Sequence, residues 1–308
     1  MSTSEIDLAV QDFTANVQLL LQQKGSLLRP CVMQGNYIGK AAQVVDQVGA
    51  INATKVAGKF TPIGRTDTPN DQRWVFPADY EVKPQMVDSF DQLRLKITLE
   101  GPFTESASYA LGRGQDDEII AAFFATSSTG VDHGSTETFG TTLTTSAGRN
   151  VAVATGAAAA TGLNVAKLIE GMRQLKANQV DTMNDPIYCG INAKAESNLL
   201  SDVKVVSRDF GWADAPRLVD GSVKFFVGAN MVMCERFGTG TDDASSTSRM
   251  LPLFARSGMH FGIWNDIKHS IKERPDITSI PWQVYSIMTC GSTRIEGNKV
   301  MRLWSYEG

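Results

Sequence analysis

Residues that carry chemistry are few in this chain of 308 amino acids, and those present are scattered. Its four cysteines, Cys31, Cys189, Cys234 and Cys290, form no C-x-x-C pair, so neither a zinc knuckle nor a thiol redox motif is spelled out, and buried free thiols are expected. There are only three histidines. His260 and His269 lie far apart in strand-like sequence, without the short spacing to a further ligand that a tetrahedral metal site requires. Positive charge is not in excess: 29 Lys and Arg against 33 Asp and Glu give a net charge of -4, which excludes a global cationic field for holding nucleic acid. No apolar run reaches membrane-spanning length. The opening MSTSEIDLAVQDFTANVQLL carries Glu5, Asp7 and Asp12 and lacks the basic and apolar regions of a secretory leader. A soluble protein of a reducing compartment is expected.

What is present is pattern. Ile6, Val10, Phe13, Val17, Leu20 and Leu21 recur at helical spacing, with Ser4 and Asp7 placed as a capping box and Gly25 as a stop. Residues 37–88 read as extended, a long two-stranded hairpin with a turn-rich tip; carrying Pro62, Pro69, Pro77 and Pro84, it needs another surface to lie on. QLRLKITLEG alternates as a half-buried strand. A helix is expected from Thr104 to about Phe124, with Ala107, Leu111, Ile119, Ala122 and Phe123 on one side and a kink or break at Gly112 and Gly114. The Gly, Ser, Thr and Ala-rich stretch from Thr126 to Gly162 reads as a mobile loop. An amphipathic helix follows Asn164, with Val165, Leu168, Ile169, Met172 and Leu175 opposed by Lys167, Glu170, Arg173 and Lys176. Then come an apolar strand ending at Asn192, a short helix capped by that residue, and several strands to the C-terminus.

Catalytic readings fail residue by residue. Asp132 and His133 in SSTGVDHGSTET are adjacent, so their side chains do not naturally face each other, and no G-x-S-x-G elbow presents a nucleophile. Gly156 and Gly162 precede a helix, yet Leu163 stands where a phosphate-binding loop needs Lys. Asp116, Asp117 and Glu118 are read as favourable charges where a helix restarts after Gly114. The five tryptophans show no periodicity for base stacking. An enzyme is therefore not expected, nor any cofactor or metal. A detached arm, a hairpin without a core and a glycine-rich loop instead leave surface that neighbouring subunits would have to cover.

This order of elements resembles the major capsid proteins of tailed double-stranded DNA bacteriophages, with the Hong Kong 97-type fold. FTESASYALGRGQDDEIIAAFFATSSTG is similar to that family's spine helix and glycine-rich loop, and NVAKLIEGMRQLKANQVDTMNDPIYCGINAKAESNLL to its axial-domain passage. IKERPDITSIPWQVYSIMTCGSTRIEGNKVMRLW is similar to its closing section. The resemblance implies an α+β fold with an N-terminal arm (1–36), an E-loop (37–88) and a peripheral domain with the spine helix (89–130). A glycine-rich loop and axial domain (131–254) and a return to the peripheral domain (255–308) complete it. It further implies self-assembly through pentamers and hexamers into an icosahedral head in the virion, formed in the host cytoplasm. The expected partners are other copies of the chain, a portal, possible decoration proteins and packaged double-stranded DNA held by weak non-specific contact. No helical scaffolding segment precedes the arm, so a separate scaffolding protein is expected, and no cross-linking Lys and Asn pair is assigned. Phe13, Leu20, Arg65, Arg73 and Trp74 are the expected interface residues. The alternatives are an encapsulin-type compartment, which would hold protein cargo, and a nucleotide-dependent enzyme built on the Gly156 to Gly162 loop.

Overall fold

A computed structural model of the chain describes residues 21–55, 58, 65, 67–68, 70–87, 100–140, 149–202, 218–219, 222–241, 244, 247–278 and 280–307. The amphipathic arm through Leu20 and the alternating strand from Leu93 to Leu99 lie outside them. The first half holds strands β1 (Met33–Asn36), β2 (Ala42–Val48), β3 (Asn70–Val75) and β4 (Ala78–Val87), then helix α1 (Glu100–Phe124). Next come β5 (Ser127–Thr129), β6 (Ser135–Glu137), β7 (Asn150–Val151), helix α2 (Val165–Ala177), β8 (Ile187–Ile191) and helix α3 (Ala193–Ser201). Short strands β9 (Leu218–Val219), β10 (Ser222–Val223), β11 (Phe225–Phe226), β12 (Ala229–Met233) and β13 (Thr239–Thr241) follow. Four longer ones, β14 (Thr247–Ala255), β15 (Met259–Glu273), β16 (Trp282–Arg294) and β17 (Val300–Tyr306), complete the chain.

The largest sheet has the order β11-β12-β8-β14-β17-β7, with β13 alongside β14. Its centre is the antiparallel pair β14 and β17, in register from Ser248 opposite Tyr306 to Phe254 opposite Val300. Consecutive residues Leu253, Phe254 and Ala255, and Val300 and Met301, are all buried, which requires cover on both faces of the sheet. Helix α2 supplies one cover through Leu168, Met172 and Leu175. Each such side chain stabilises the fold by about 1.5–3 kcal/mol when fully buried. The second sheet runs β2-β3-β5-β6 and the third β1-β15-β16-β4.

By contacts the described residues divide into two units. One takes those within Met1–Gly25, Tyr80–Arg113 and Ile267–Met288, the other those within Ser26–Asp79, Gly114–Asp266 and Thr289–Gly308. Within the first, Arg113 donates to Gln22 Oε1 at 2.9 Å, and Tyr285 donates to Glu81 at 2.7 Å. Arg274 grips Asp276 through two hydrogen bonds of 2.7 and 2.6 Å, which hold that carboxyl down at about 2 and form the charged turn before β16.

Several local expectations change in the structure. Helix α1 is unbroken over 25 residues; Gly112 and Gly114 do not interrupt it, although one unit ends at Arg113 and the other resumes at Gly114. Asp116 is not a dipole partner at a restarted helix but lies inside α1, fully buried, on the stripe of Ile119 and Phe123. Lys167, expected on the polar face of α2, is fully buried, while Ile169, expected on the apolar face, is exposed. The reason is local: Asn164 caps α2 by accepting from Lys167 N, so the first turn is closed over by the preceding loop. The SSTGVDHGSTET stretch is no loose loop but a hairpin of β5 and β6, paired from Ser127 opposite Glu137 to Thr129 opposite Ser135. All four cysteines are buried and free; burial pushes the Cys31 thiol up to about 11 and those of Cys189 and Cys290 up to about 12, so they stay protonated and inert.

The parallel pairing of β1 with β15 is sealed by an aromatic cluster. Gly35 and Gly262 are register partners, and their missing side chains make room for the ring of Tyr37. That ring packs 5.6 Å from both His260 and Trp264, and its hydroxyl is 2.8 Å from His260 Nε2. His260 Nδ1 is buried without a partner. Burial pushes the imidazole down to about 4, because a charged ring there would lose its hydration.

Two outcomes follow from this packing. A Cβ added at Gly291 on β16 would come 2.0 Å from the carbonyl oxygen of Phe76, a backbone atom that cannot step aside. Gly291→Ala is expected to destabilise the subunit by roughly 2–4 kcal/mol in chemical denaturation, the range of overpacking combined with backbone displacement. His260 has a folded pKa below its unfolded value of 6.5, so the unfolded chain binds the extra proton. Stability is therefore unaffected above that value and falls as pH drops from 6.5 towards 4, by up to about 3 kcal/mol. Urea midpoints measured across that window should fall more steeply for the wild type than for His260→Gln; equal slopes would refute the assignment.

Candidate assembly surface

The hairpin expected in residues 37–88 forms only in part. Strands β2 and β3 pair antiparallel from Ala42 opposite Val75 to Val48 opposite Asn70, with a bulge between Gln43 and Val45. β4 leaves them for the sheet of β16, after the break at Phe76 and Pro77. The hairpin is β-branched at Val44, Val45 and Val48, yet it buries little, and Val48 and Ile51 are 71% and 61% exposed. Ile38, where the chain leaves β1 for β2, is 98% exposed.

The root of the hairpin is held by the β5–β6 hairpin. Trp74 Nε1 donates to Gly130 O at 2.9 Å, and Gly130 N donates to Asp71 Oδ1 at 2.9 Å. The turn has positive φ at both Asp132 (51°) and His133 (52°), a left-handed conformation uncommon outside glycine. It turns the His133 ring edge-on to Trp74 at 5.7 Å and Phe76 at 5.6 Å. His133 is thus a packing group on an exposed turn.

Of the five residues expected at an interface, Phe13 and Leu20 lie outside the described residues. Arg65 is highly exposed and pairs with the equally exposed Asp67 at 2.9 Å, an ion pair worth little in water. Trp74 is half-buried in the contact just described. Arg73 is buried and engaged within its own chain: it donates to Glu137 Oε2 at 2.5 Å and to Gln47 Oε1 at 3.1 Å. Burial works to raise the Glu137 carboxyl, but Arg73 and Arg149 outweigh it and hold the group below its ordinary range.

Three buried charges missed by pattern reading hold the surface in place. Arg294 donates to the carbonyl oxygens of Phe123 and Ala125, each at 2.9 Å, and so satisfies the C-terminal end of α1; its plane lies 5.1 Å from the Phe139 ring. Burial lowers its pKa to about 10, which leaves it charged at neutral pH. Asp116 accepts from Ser26 Oγ at 2.5 Å, from Leu27 N at 3.1 and 3.0 Å and from Leu28 N at 3.0 Å, fixing the chain as it approaches β1. Its position on the same helix stripe as Ile119 and Phe123 was the available signal. Lys167 Nζ donates to Thr161 O, Gly162 O and Trp304 O at 2.6, 3.0 and 2.8 Å.

That last contact bears on the Gly156 to Gly162 loop. A phosphate cradle aims backbone N–H groups at an anion, whereas this loop aims carbonyl oxygens at a lysine. Gly162 is also closed over, since a Cβ there would come 1.9 Å from Asn198 Nδ2. Among the described residues no group of three or more His, Cys, Asp or Glu could hold a metal ion. His269 Nδ1 lies 2.7 Å from Ser286 Oγ. The helices of the described residues include none long and apolar enough to cross a membrane.

The fold matches the capsid of cyanophage P-SCSP1u at a TM-score of 0.72 and 15% identity, covering 98% of this chain and 94% of that one. It matches the capsid of cyanophage Pam1 at a TM-score of 0.73 and 13% identity, covering 99% and 97%. The capsid of Ralstonia phage GP4 matches at 0.66 and 11% identity, covering 98% and 96%. No curated protein matches the sequence. The architecture is thus the α+β, Hong Kong 97-like capsid fold. The sequence itself matches the phage capsid protein family from residue 6 to residue 307, and the chain belongs to that family.

Proposed function

We propose that this chain is the shell subunit of a tailed-phage head, assembling through pentamers and hexamers into a closed icosahedral container for double-stranded DNA. The observation that carries the reading is family membership over residues 6–307. Consistent with it, the hairpin of β2 and β3 carries exposed aliphatic side chains, Val48 and Ile51, beyond any core of its own. In this reading the work is mechanical and no catalytic step is required. Closed symmetric contacts repeat around the shell, and each small interface gains strength because a subunit is held at several places at once.

The chain divides, in this proposal, into an arm (1–36), an E-loop (37–88), a peripheral domain with α1 as spine helix (89–130), a glycine-rich loop and axial domain (131–254) and a returning peripheral segment (255–308). Phe13, Leu20 and Arg65 are assigned to inter-subunit contact. Arg73 and Trp74 are assigned a supporting part, since their bonds to Glu137 and Gly130 set the direction in which the hairpin leaves. A separate scaffolding protein, a portal and decoration proteins are the further partners, with assembly in the host cytoplasm. The net charge of -4 suits a wall that confines DNA with weak contact.

Negative-stain microscopy of the full-length chain co-expressed with its scaffolding protein should show closed shells of uniform diameter, and nuclease-protected double-stranded DNA should be recovered from virions. Monodisperse monomers under every condition, or shells holding a protein cargo instead of DNA, would overturn the proposal. The double variant Val48→Glu, Ile51→Glu is expected to lower shell yield about tenfold, as loss of one repeated apolar contact should, with an unchanged thermal midpoint of the subunit.

A further inference from the structure

The sheet β2-β3-β5-β6 is two hairpins joined at a narrow seam. β2 and β3 pair from Ala42 opposite Val75 to Val48 opposite Asn70, and β5 and β6 pair from Ser127 opposite Glu137 to Thr129 opposite Ser135. β3 and β5, by contrast, pair at a single position, Arg73 opposite Thr129. A lone two-stranded hairpin is marginally stable in water, so whatever crosses this seam decides whether β2 and β3 stay seated. The backbone adds the bond from Gly130 N to Gln72 O at 3.1 Å. Side chains supply the remainder.

Glu137 stands at the centre of them. Arg73 reaches from β3 to Glu137 Oε2 on β6 at 2.5 Å, and Arg149 meets Glu137 Oε1 at 2.9 Å. Arg73 also donates to Gln47 Oε1 on β2 at 3.1 Å, while Gln47 Nε2 donates to Ile295 O at 3.1 Å. Arg149 Nε donates to Asn298 Oδ1 at 3.2 Å. One carboxylate thus answers two guanidiniums, and the belt ties β2, β3 and β6 to the turn that precedes β17. Around it, Arg294 donates to the backbone oxygen of Glu137 at 3.3 Å, and Glu296 and Lys299 of that turn pair with each other at 3.0 Å. Asp71, on β3, pairs with Arg73 at 3.3 Å and accepts from Gly130 N. Residues 141–148 read Thr-Thr-Leu-Thr-Thr-Ser-Ala-Gly and bring no ionisable side chain.

We propose that Glu137 is a protonation latch: charged, it keeps the β2–β3 hairpin seated on β5 and β6, and neutral, it lets that hairpin lift away while the large sheet stays folded. A protonated carboxyl gives up acceptor capacity and adds an O–H donor that faces N–H donors. Arg73, with a side chain 9% exposed, is then left with a buried charge whose other carboxylate sits on its own strand. It recovers hydration by moving outward with β3. Arg149 is more exposed and keeps Asn298, so the β6 side stays in place. Burial works to raise the Glu137 carboxyl, but Arg73 and Arg149 outweigh it, and the folded group titrates below its ordinary value of 4.5. The latch is therefore fully closed above 4.5 and opens as pH falls below that value, whereas His260 begins to act already at 6.5. The inference is independent of the shell reading, because the isolated subunit shows it.

Hydrogen exchange of the isolated subunit, corrected for the intrinsic rate at each pH, reads the seam at the Gly130 amide and the large sheet at the amides of β14 and β17. Gly130 protection should hold down to 4.5 and then fall at least about tenfold while β14 and β17 remain protected. Glu137→Gln keeps the size and removes the charge, so it should show the lowered Gly130 protection already at neutral pH, with no acid step. Asp71→Asn should keep the step. Should Glu137→Gln fail to fold, the wild-type step and Asp71→Asn carry the test. Gly130 protection that persists down to about pH 3 would overturn the inference. So would a step abolished by Asp71→Asn, a Glu137→Gln variant as protected as the wild type, or simultaneous loss of protection at the seam and in the large sheet.

Discussion

One buried guanidinium sets the frame. The last carbonyls of a helix have no partner inside it, and at the end of α1, 25 residues long, that of Phe123 and that of Ala125 just beyond the helix are met by Arg294 from the end of β16. The same guanidinium reaches Glu137 O at 3.3 Å and lies over Phe139, whose ring also faces Arg302 at 5.2 Å. β5 begins at Ser127, just past the capped end. The position of α1 therefore decides where β5 and β6 stand, and these decide where β3 and the exposed hairpin are anchored. Charge retained at such burial is tolerable because three carbonyl acceptors and an aromatic face replace water only together.

The other buried charges obey the same logic at other changes of direction. Asp116 gathers two consecutive backbone amides and a serine hydroxyl where the chain enters the sheet of β1. Lys167 joins the loop before α2 to the backbone of β17. In each case one side chain satisfies several backbone groups that lie outside regular structure, where an apolar side chain would leave them all unpaired. Irregular segments are thereby tied to the regular elements beside them.

Legibility in the sequence followed the range of the forces involved. Asn192 as a helix cap, the helix that follows Asn164, the strand before Asn192 and the helix reaching Phe124 all came from neighbours within a few residues, and the structure has each of them. The break expected at Gly112 and Gly114 did not occur, because a glycine costs a helix only about 1 kcal/mol and the capped, buried second half of α1 offsets it. The stretch from Ser127 to Glu137 read as loose because its serines, threonines and glycines carry no apolar alternation. Its order comes from Trp74 and Asp71, more than fifty residues earlier.

The sequence by itself determined the absence of a spelled-out catalytic or metal motif, the positions of the capped helices and the element order that resembles a capsid protein, since these depend on residue type and local spacing. Only the tertiary structure decided that Lys167 and Asp116 point inward, that Arg73 is engaged by Glu137 and Gln47 and that Ile38 is exposed. Those facts depend on which backbone groups remain unpaired once the chain has folded. Residues far apart in the sequence create that condition, and no local period records it.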